Sequence, residues 1–391
     1  MRDPATAARL RPFGTTIFTE MTRLALQHKA VNLAQGFPDF AGPTFAKDAA
    51  IRAIQADRNQ YGRMQGEVPL VEAIAANVQG RTGLAFDPLT EIVVTSGATE
   101  AIAAAMLALV DPGDEVVLFE PYYDSYRACV AMAGGVPRFV TLRAPDFRWA
   151  PGDVAAAFSS RTRLVLVNTP HNPTGRVLTR AEMLEIAAEC VRHDAICVTD
   201  EVYDRLVYDG EHVSMATLPG MRDRTVTLNS SGKTFSLTGW KVGWAVAPAP
   251  LAKAIASAHQ FLTFAVATPF QHAAAEALRT ADAAGATYYD DLLRDYRARR
   301  EFLVSVLRDA GLAVIAPQGT YFVMADIRPL GWDDDVAFCR HLVEEVGVAA
   351  IPPTAFYEHK DAGRFLTRWA FCKRQETLDA AAERLRRLRP R

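Results

Sequence analysis

The chain of 391 residues carries 43 Lys+Arg against 45 Asp+Glu, a formal net charge of −2. Half of it is hydrophobic and 23% charged, the balance of a compact chain of about two domains and not of a disordered one. The lack of net positive charge argues against a nucleic-acid partner. The longest strictly apolar run, 101–110, is half the ~20 residues that span a bilayer.

The opening MRDPATAARLRPFG has no apolar signal core. The first forty residues are too few for a domain and are expected to pack with the C-terminal part. From about residue 90, short β-branched runs at 92–95, 116–119, 138–142, 164–168, 196–200, 225–229 and 242–247 alternate with helical spacing at 98–109, 124–133 and 179–192. Asp111-Pro112-Gly113-Asp114 and Gly134-Gly135-Val136-Pro137 punctuate them as turns. The runs are apolar almost throughout, as in a parallel sheet covered on both faces. After about residue 250 the texture changes. An Arg-, Asp- and Leu-rich helix at 285–310 leads to strands at 321–325, 348–351 and 365–372 and to helices near 334–346 and 375–389, a smaller α+β unit. Cys129, Cys190, Cys197, Cys339 and Cys372 form no C-x-x-C pair and sit mostly among apolar residues. They read as small core hydrophobes in a reducing, cytoplasmic protein.

In an open parallel sheet, ligands bind beyond the carboxyl ends of the strands. After 92–95 comes Ser96-Gly97-Ala98-Thr99-Glu100, opening a helix: a generic anion site, or simply a tight capped turn. After 116–119 come the aromatics of Glu120-Pro121-Tyr122-Tyr123. After 164–168 comes Thr169-Pro170-His171-Asn172-Pro173-Thr174-Gly175, a stiff loop presenting an asparagine. Asp200-Glu201-Val202-Tyr203 places a carboxylate at its strand's mouth, and Ser230-Ser231-Gly232-Lys233-Thr234 a lysine; Lys241 follows eight residues later. Only 7 of the 43 basic residues are lysines, so these two stand out. Singly, Asp200 reads as a helix cap, Asn172 as a turn former, Tyr123 as core and Lys233 as a surface amine. Together they converge on one sheet edge. An amine that condenses with an aldehyde, an anion cradle, a carboxylate facing a heterocyclic nitrogen, a stacking ring, and Asn172 and Tyr203 for a phenolic oxygen describe a site for pyridoxal 5′-phosphate. A P-loop is excluded by its own spacing, because position 227 holds Thr227 where the first glycine belongs.

With these motifs in view, the chain resembles the class I/II aminotransferases, which are fold-type I pyridoxal-phosphate enzymes. The likeness runs from Val31-Asn32-Leu33-Ala34-Gln35-Gly36-Phe37-Pro38-Asp39 to Arg368. Its carriers are N-T-P-H-N-P-T-G at 168–175, T-D-E-V-Y at 199–203 and S-S-G-K-T-F-S-L-T-G-W-K-V-G-W at 230–244. Within the family it looks most like the branch of kynurenine aminotransferase/glutamine transaminase K and bacterial methionine aminotransferase; an N-succinyldiaminopimelate aminotransferase is similar too. The resemblance implies a large α/β domain with a mostly parallel central sheet over 46–285. It also implies an N-terminal segment, 1–45, packed with a small α+β domain over 286–391, and a homodimer with shared active sites.

Carried over, Lys233 matches the lysine that binds the cofactor aldehyde. Asp200 matches the partner of the ring nitrogen, Asn172 and Tyr203 the ligands of the phenolic oxygen, and Tyr123 the stacking aromatic. Gly97, Ala98, Thr99, Ser230 and Lys241 match the phosphate cradle, with a point charge at Lys241 where many relatives carry arginine. Tyr61 matches a tyrosine reaching the other subunit's phosphate. Arg368, Gly36 and Asn172 match contacts to the substrate carboxylate, and Phe18, Tyr61 and Phe264 match pocket-lining stretches. If these aromatics line the pocket, the expected donors are large and uncharged: glutamine, methionine, phenylalanine or kynurenine. The stretch 260–269 looks more like the methionine-type relatives. No second arginine can be assigned to a side-chain carboxylate, which disfavours an aspartate preference. β-Elimination from cysteine conjugates is the alternative chemistry of the same site. A non-catalytic sensor on this fold is disfavoured by the absence of a basic tract and by the short stretch before the match.

Overall fold

A computed structural model describes residues 6–390; the first five residues of the expected 1–45 segment and Arg391 lie outside the described residues. In chain order the strands are β1 (Val31–Asn32), β2 (Ile92–Ser96), β3 (Glu115–Glu120), β4 (Val136–Thr141), β5 (Thr162–Asn168), β6 (Ile196–Asp200), β7 (Thr225–Ser230), β8 (Val242–Val246), β9 (Ala313–Ile315), β10 (Phe322–Asp326), β11 (Val348–Ala349) and β12 (Leu366–Ala370).

Seven of them form the main sheet, in the order β2-β8-β7-β6-β5-β3-β4. Its pairings are parallel except at β8, which runs antiparallel to both β2 and β7. The strands read as continuous apolar runs because successive side chains enter two different cores. Val116, Leu118, Leu164 and Leu166 pack under the helices Gly97–Leu109, Asp124–Ala133 and Ala249–Leu262. Val117, Phe119, Val165 and Val167 meet Met183 and Ile186 of the helix Arg180–Arg192 on the opposite face.

The C-terminal part builds a three-stranded antiparallel sheet, β12-β10-β9, behind the long helix Tyr288–Asp309. The N-terminal segment joins it, as expected. β1 pairs in parallel with β11, and Met21, Leu24 and Ala25 of the helix Ile17–Gln27 enter the same core as Tyr296, Phe322 and Trp369. The sequence reading placed the strands of the main sheet to within one or two residues at most ends. It did not place the helices Ile17–Gln27, Thr44–Gln55, Val68–Thr82, Ala249–Leu262 and Thr268–Ala281, nor the reversal at β8. All five cysteines are buried free thiols. No helix among the described residues is long and apolar enough to cross a membrane, and they hold no cluster of metal-ligating side chains.

Candidate active site

A cleft of about 230 Å³ opens beyond the carboxyl ends of β2, β5, β6 and β7, and side chains of the C-terminal part and of residues 18 and 35–37 close its other side. Strand register does the positioning. Asn168 and Asp200 end neighbouring strands directly opposite one another, and the chain turns from β7 into a short helix, Ser231–Thr234, that carries Lys233.

Asp200 is buried, and its partners in the chain are neutral donors: the Tyr126 hydroxyl at 2.7 Å and the Val202 N–H at 3.3 Å. Burial pushes its carboxyl above the usual range, and those hydrogen bonds and Lys233 only partly oppose this. Lys233 Nζ donates to the Tyr321 hydroxyl at 2.8 Å, and that hydroxyl donates to the Gly36 carbonyl at 2.6 Å. Burial, reinforced by Lys241 and Arg368, draws the Lys233 amine down to about 8, against the pull of Cys372 and Asp200. Such an amine has a substantial neutral fraction near pH 8 and is nucleophilic.

At the other end of the cleft the helix Gly97–Leu109 points its first N–H groups inward. The approach there is close. A Cβ on Gly243 of β8 would lie 2.5 Å from the Gly97 carbonyl carbon, and one on Gly97 2.9 Å from Lys241 Nζ. Gly97 holds φ +72°, a conformation that glycine adopts without steric cost. Lys241, itself at φ 52°, thus rests its ammonium against the helix start. Ser230, whose hydroxyl accepts the Gly232 N–H at 3.2 Å, completes an anion cradle with Ala98 and Thr99. Beneath it, Glu100 accepts from the Ser96 N–H and pairs with His259 at 2.6 Å. Tyr123 forms a wall between the two ends, its hydroxyl hydrogen-bonded to Thr99 and pushed up to about 12 by burial.

Arg368 comes from the middle of β12 and is 1% exposed. Its guanidinium donates to Asn172 Oδ1 at 3.1 Å and to the Ala34 carbonyl at 2.9 Å, both neutral acceptors, and its Nε is buried without a partner. Phe322, Phe18 and Phe356 ring it at 4.2, 5.1 and 5.3 Å. Burial lowers its pKa to about 10. A buried cation with an idle donor and no carboxylate ion-paired with it is a site for an incoming carboxylate.

The structure thus brings Gly36, Gly97, Ala98, Thr99, Tyr123, Asn172, Asp200, Tyr203, Ser230, Lys233, Lys241, Arg368 and Phe18 to one cleft. It does not bring Tyr61 and Phe264 there. They pack edge to face on each other at 5.3 Å and lie 86% and 43% exposed. Phe264 follows the helix Ala249–Leu262 with φ 69° and does not line the cleft of its own chain. Sequence reasoning missed Tyr321, Tyr126 and Phe322. Tyr126 had a signal, lying three residues after Tyr123 on the same helical face. Tyr321 and Phe322 had none, because only the folding of β10 against the sheet carries them to Lys233 and Arg368. An amine beside an anion cradle, a buried acid, an aromatic wall and an unmatched guanidinium suits a phosphorylated heterocyclic aldehyde together with a carboxylate substrate.

Residues 28–385 match the family model for aminotransferase class I and II. A probable N-succinyldiaminopimelate aminotransferase of Mycobacterium tuberculosis is 47% identical, covering 97% of this chain and 98% of that protein. A solved structure of N-succinyldiaminopimelate aminotransferase from that organism superposes with a TM-score of 0.94 at 47% identity, over 97% of this chain and 99% of the other. A methionine aminotransferase of Escherichia coli is 43% identical over 97% of this chain and 98% of its own. A kynurenine–oxoglutarate transaminase of Dictyostelium discoideum is 39% identical over 96% and 95%.

Proposed function

The chain belongs to the aminotransferase class I and II family and is a pyridoxal 5′-phosphate-dependent transaminase, and we propose that its amino donor is an L-amino acid with a large uncharged side chain. The bound cofactor supplies an electron sink that acidifies the donor's α-proton and carries the amino group to a 2-oxo acid. The chain's own residues divide the rest. Lys233 would hold the cofactor aldehyde and, as a free amine, take the α-proton at Nζ. Asp200, whose carboxylate Tyr126 orients, would partner the ring nitrogen. Asn172 and Tyr203 would serve the phenolic oxygen and Tyr123 the ring, and the helix start at Gly97, Ala98 and Thr99 would hold the phosphate with Ser230 and Lys241. Arg368 holds the substrate carboxylate.

One observation carries the substrate class: Arg368 is the single arginine lining the described cleft, and the cleft walls against its guanidinium are Phe18 and Phe322. Apolar walls suit a long neutral side chain. Likeness to the Mycobacterium tuberculosis protein at 47% identity favours a second reading, an N-succinylated diamino dicarboxylate as donor. A donor panel separates them. Methionine, glutamine, phenylalanine, kynurenine and N-succinyl-diaminopimelate are each mixed with holoenzyme, and the rate of the spectral change of the bound cofactor is read. Preference for a neutral donor supports the first reading; a rate constant at least about 100-fold higher for the succinylated compound overturns it. Release of pyruvate and ammonia from a cysteine conjugate without an acceptor would assign the site to β-elimination instead.

The exposed Tyr61 and Phe264 support a homodimer in which Tyr61 reaches the partner subunit's phosphate site, and the five buried free thiols support a reducing, cytoplasmic setting. The three-part division at 45/46 and 285/286 belongs to the same proposal; the pairing of β1 with β11 supports it.

A further inference from the structure

Tyr321 immediately precedes β10, far from Lys233 in sequence, yet touches it. Its buried ring stacks on Tyr296 at 6.0 Å and meets Tyr203 and Phe322 edge-on at 5.1 and 4.8 Å. Its hydroxyl stands 2.8 Å from Lys233 Nζ and 2.6 Å from the Gly36 carbonyl, with the Tyr203 hydroxyl as a further hydrogen-bonding neighbour. A phenol has one proton. With that proton on the Gly36 carbonyl, only lone pairs face Lys233, so Lys233 is the donor. A neutral amine that spends one N–H on Tyr321 keeps its lone pair for the cleft.

We propose that Tyr321 is a positioning residue: it holds the free Lys233 amine by one N–H, directs the lone pair at the substrate α-carbon, and ties that geometry to the segment that orients Arg368. The tie is continuous. Arg368 donates to the Ala34 carbonyl at 2.9 Å, and Gly36, two residues on, receives the Tyr321 proton. A carboxylate docking on Arg368 and the proton acceptor at Lys233 therefore share one short stretch of backbone. The step itself balances within the known chemistry: the Cα–H bond breaks, its proton joins the Nζ lone pair, and the electron pair stays with the substrate carbon. The inference rests on the proposed role of Lys233 as proton acceptor.

Tyr321→Phe keeps the ring and its packing, and Tyr296→Phe, one ring further from the cleft, is the packing control. In cofactor-free protein, the pH dependence of Lys233 modification by trinitrobenzenesulfonate is followed by peptide mapping. The groups facing the amine are Asp200, Tyr203, Tyr321, Lys241, Arg368 and Cys372; only the Tyr321 hydroxyl is removed. An ammonium that loses an acceptor is disfavoured, so the midpoint should fall by about half a unit to one unit. In holoenzyme, kcat with the preferred donor should fall about 10- to 100-fold, with a larger primary isotope effect from the α-deuterated donor. KM, cofactor affinity and Tm should stay near wild type, and Tyr296→Phe should move none of these. An unshifted midpoint overturns the proposal, as does a kcat loss matched by an equal loss of cofactor affinity or an unchanged isotope effect. A shifted midpoint in a protein whose wild type transaminates no donor upholds the tether and sinks the reading of the function; transamination with an unshifted midpoint sinks the tether alone.

Discussion

Arg368 keeps a charge inside the protein with one nitrogen unmatched, and that arrangement determines what its replacement does. Lysine at 368 retains the charge but presents one compact ammonium in place of a planar fork. The Asn172 and Ala34 contacts cannot both be kept while a carboxylate is gripped at two points. Arg368→Lys is therefore expected to raise KM for the amino donor about 10- to 100-fold, since hydrogen bonds to charged groups contribute ~1.5–3 kcal/mol. Saturation of the donor half-reaction checks this, and a KM within twofold of wild type would place the carboxylate elsewhere. Lys233 allows a prediction with a definite sign. Burial disfavours its charged form and brings its pKa from 10.5 to about 8, so in cofactor-free wild type the reactive neutral amine appears as pH rises through about 8. Lys233 labelling should reach half its plateau rate there, about two units below an unperturbed lysine side chain. A midpoint near that unperturbed value would remove the physical basis for Lys233 as the nucleophile.

Between elements, the tightest point of the site is the crossing of β8 with the start of the helix Gly97–Leu109. An alanine methyl at Gly243 would sit 2.5 and 2.6 Å from backbone atoms of Gly97 and Ala98, which cannot swing aside as a side-chain tip can. Gly243→Ala should push the helix start outward, cost roughly 1–3 kcal/mol of stability, and weaken retention of the cofactor because the inward N–H groups move. Thermal melting together with equilibrium dialysis of the cofactor tests both consequences; an unchanged cofactor affinity would mean that the helix start does not hold the phosphate. The glycines at this crossing were in plain view in the sequence, but the crossing was not. The main sheet was legible because its strands are buried on both faces and so advertise themselves as unbroken apolar runs. The reversal at β8 was not legible: the link from Ser231 to Lys241 contains no hairpin turn, only a short helix, a further turn, and Lys241 in the left-handed region. The site divides the same way. Residues at a strand's end or within a few positions of it, such as Asp200, Asn172 and Lys233, could be read from local order. Tyr321 and Phe322 could not, since a second sheet delivers them.

At the scale of the whole molecule, the most conspicuous surface lies at the end of the helix Ala249–Leu262. Phe261 and Tyr61 are each 86% exposed, with Leu262 and Phe264 beside them at 47% and 43%. A monomeric protein seldom leaves such a group of large apolar side chains in water, and here it adjoins the stretch that holds His259 against Glu100 under the anion cradle. If the patch is where two copies meet, it links assembly to cofactor binding through one helix. Phe261→Asp tests this cleanly, because Phe261 lines no part of its own chain's cleft and a charge at its exposed position leaves the fold intact. Desolvating that carboxylate at an apolar interface should weaken self-association by about 100-fold or more, read by sedimentation velocity over a dilution series. The same variant should lose cofactor more readily as it is diluted, in step with the appearance of monomer, because Tyr61 of each copy then no longer meets its neighbour's phosphate site. Dimers that persist undiminished would assign the patch to another partner, and monomers that retain the cofactor as wild type does would show each cleft to be complete within one chain.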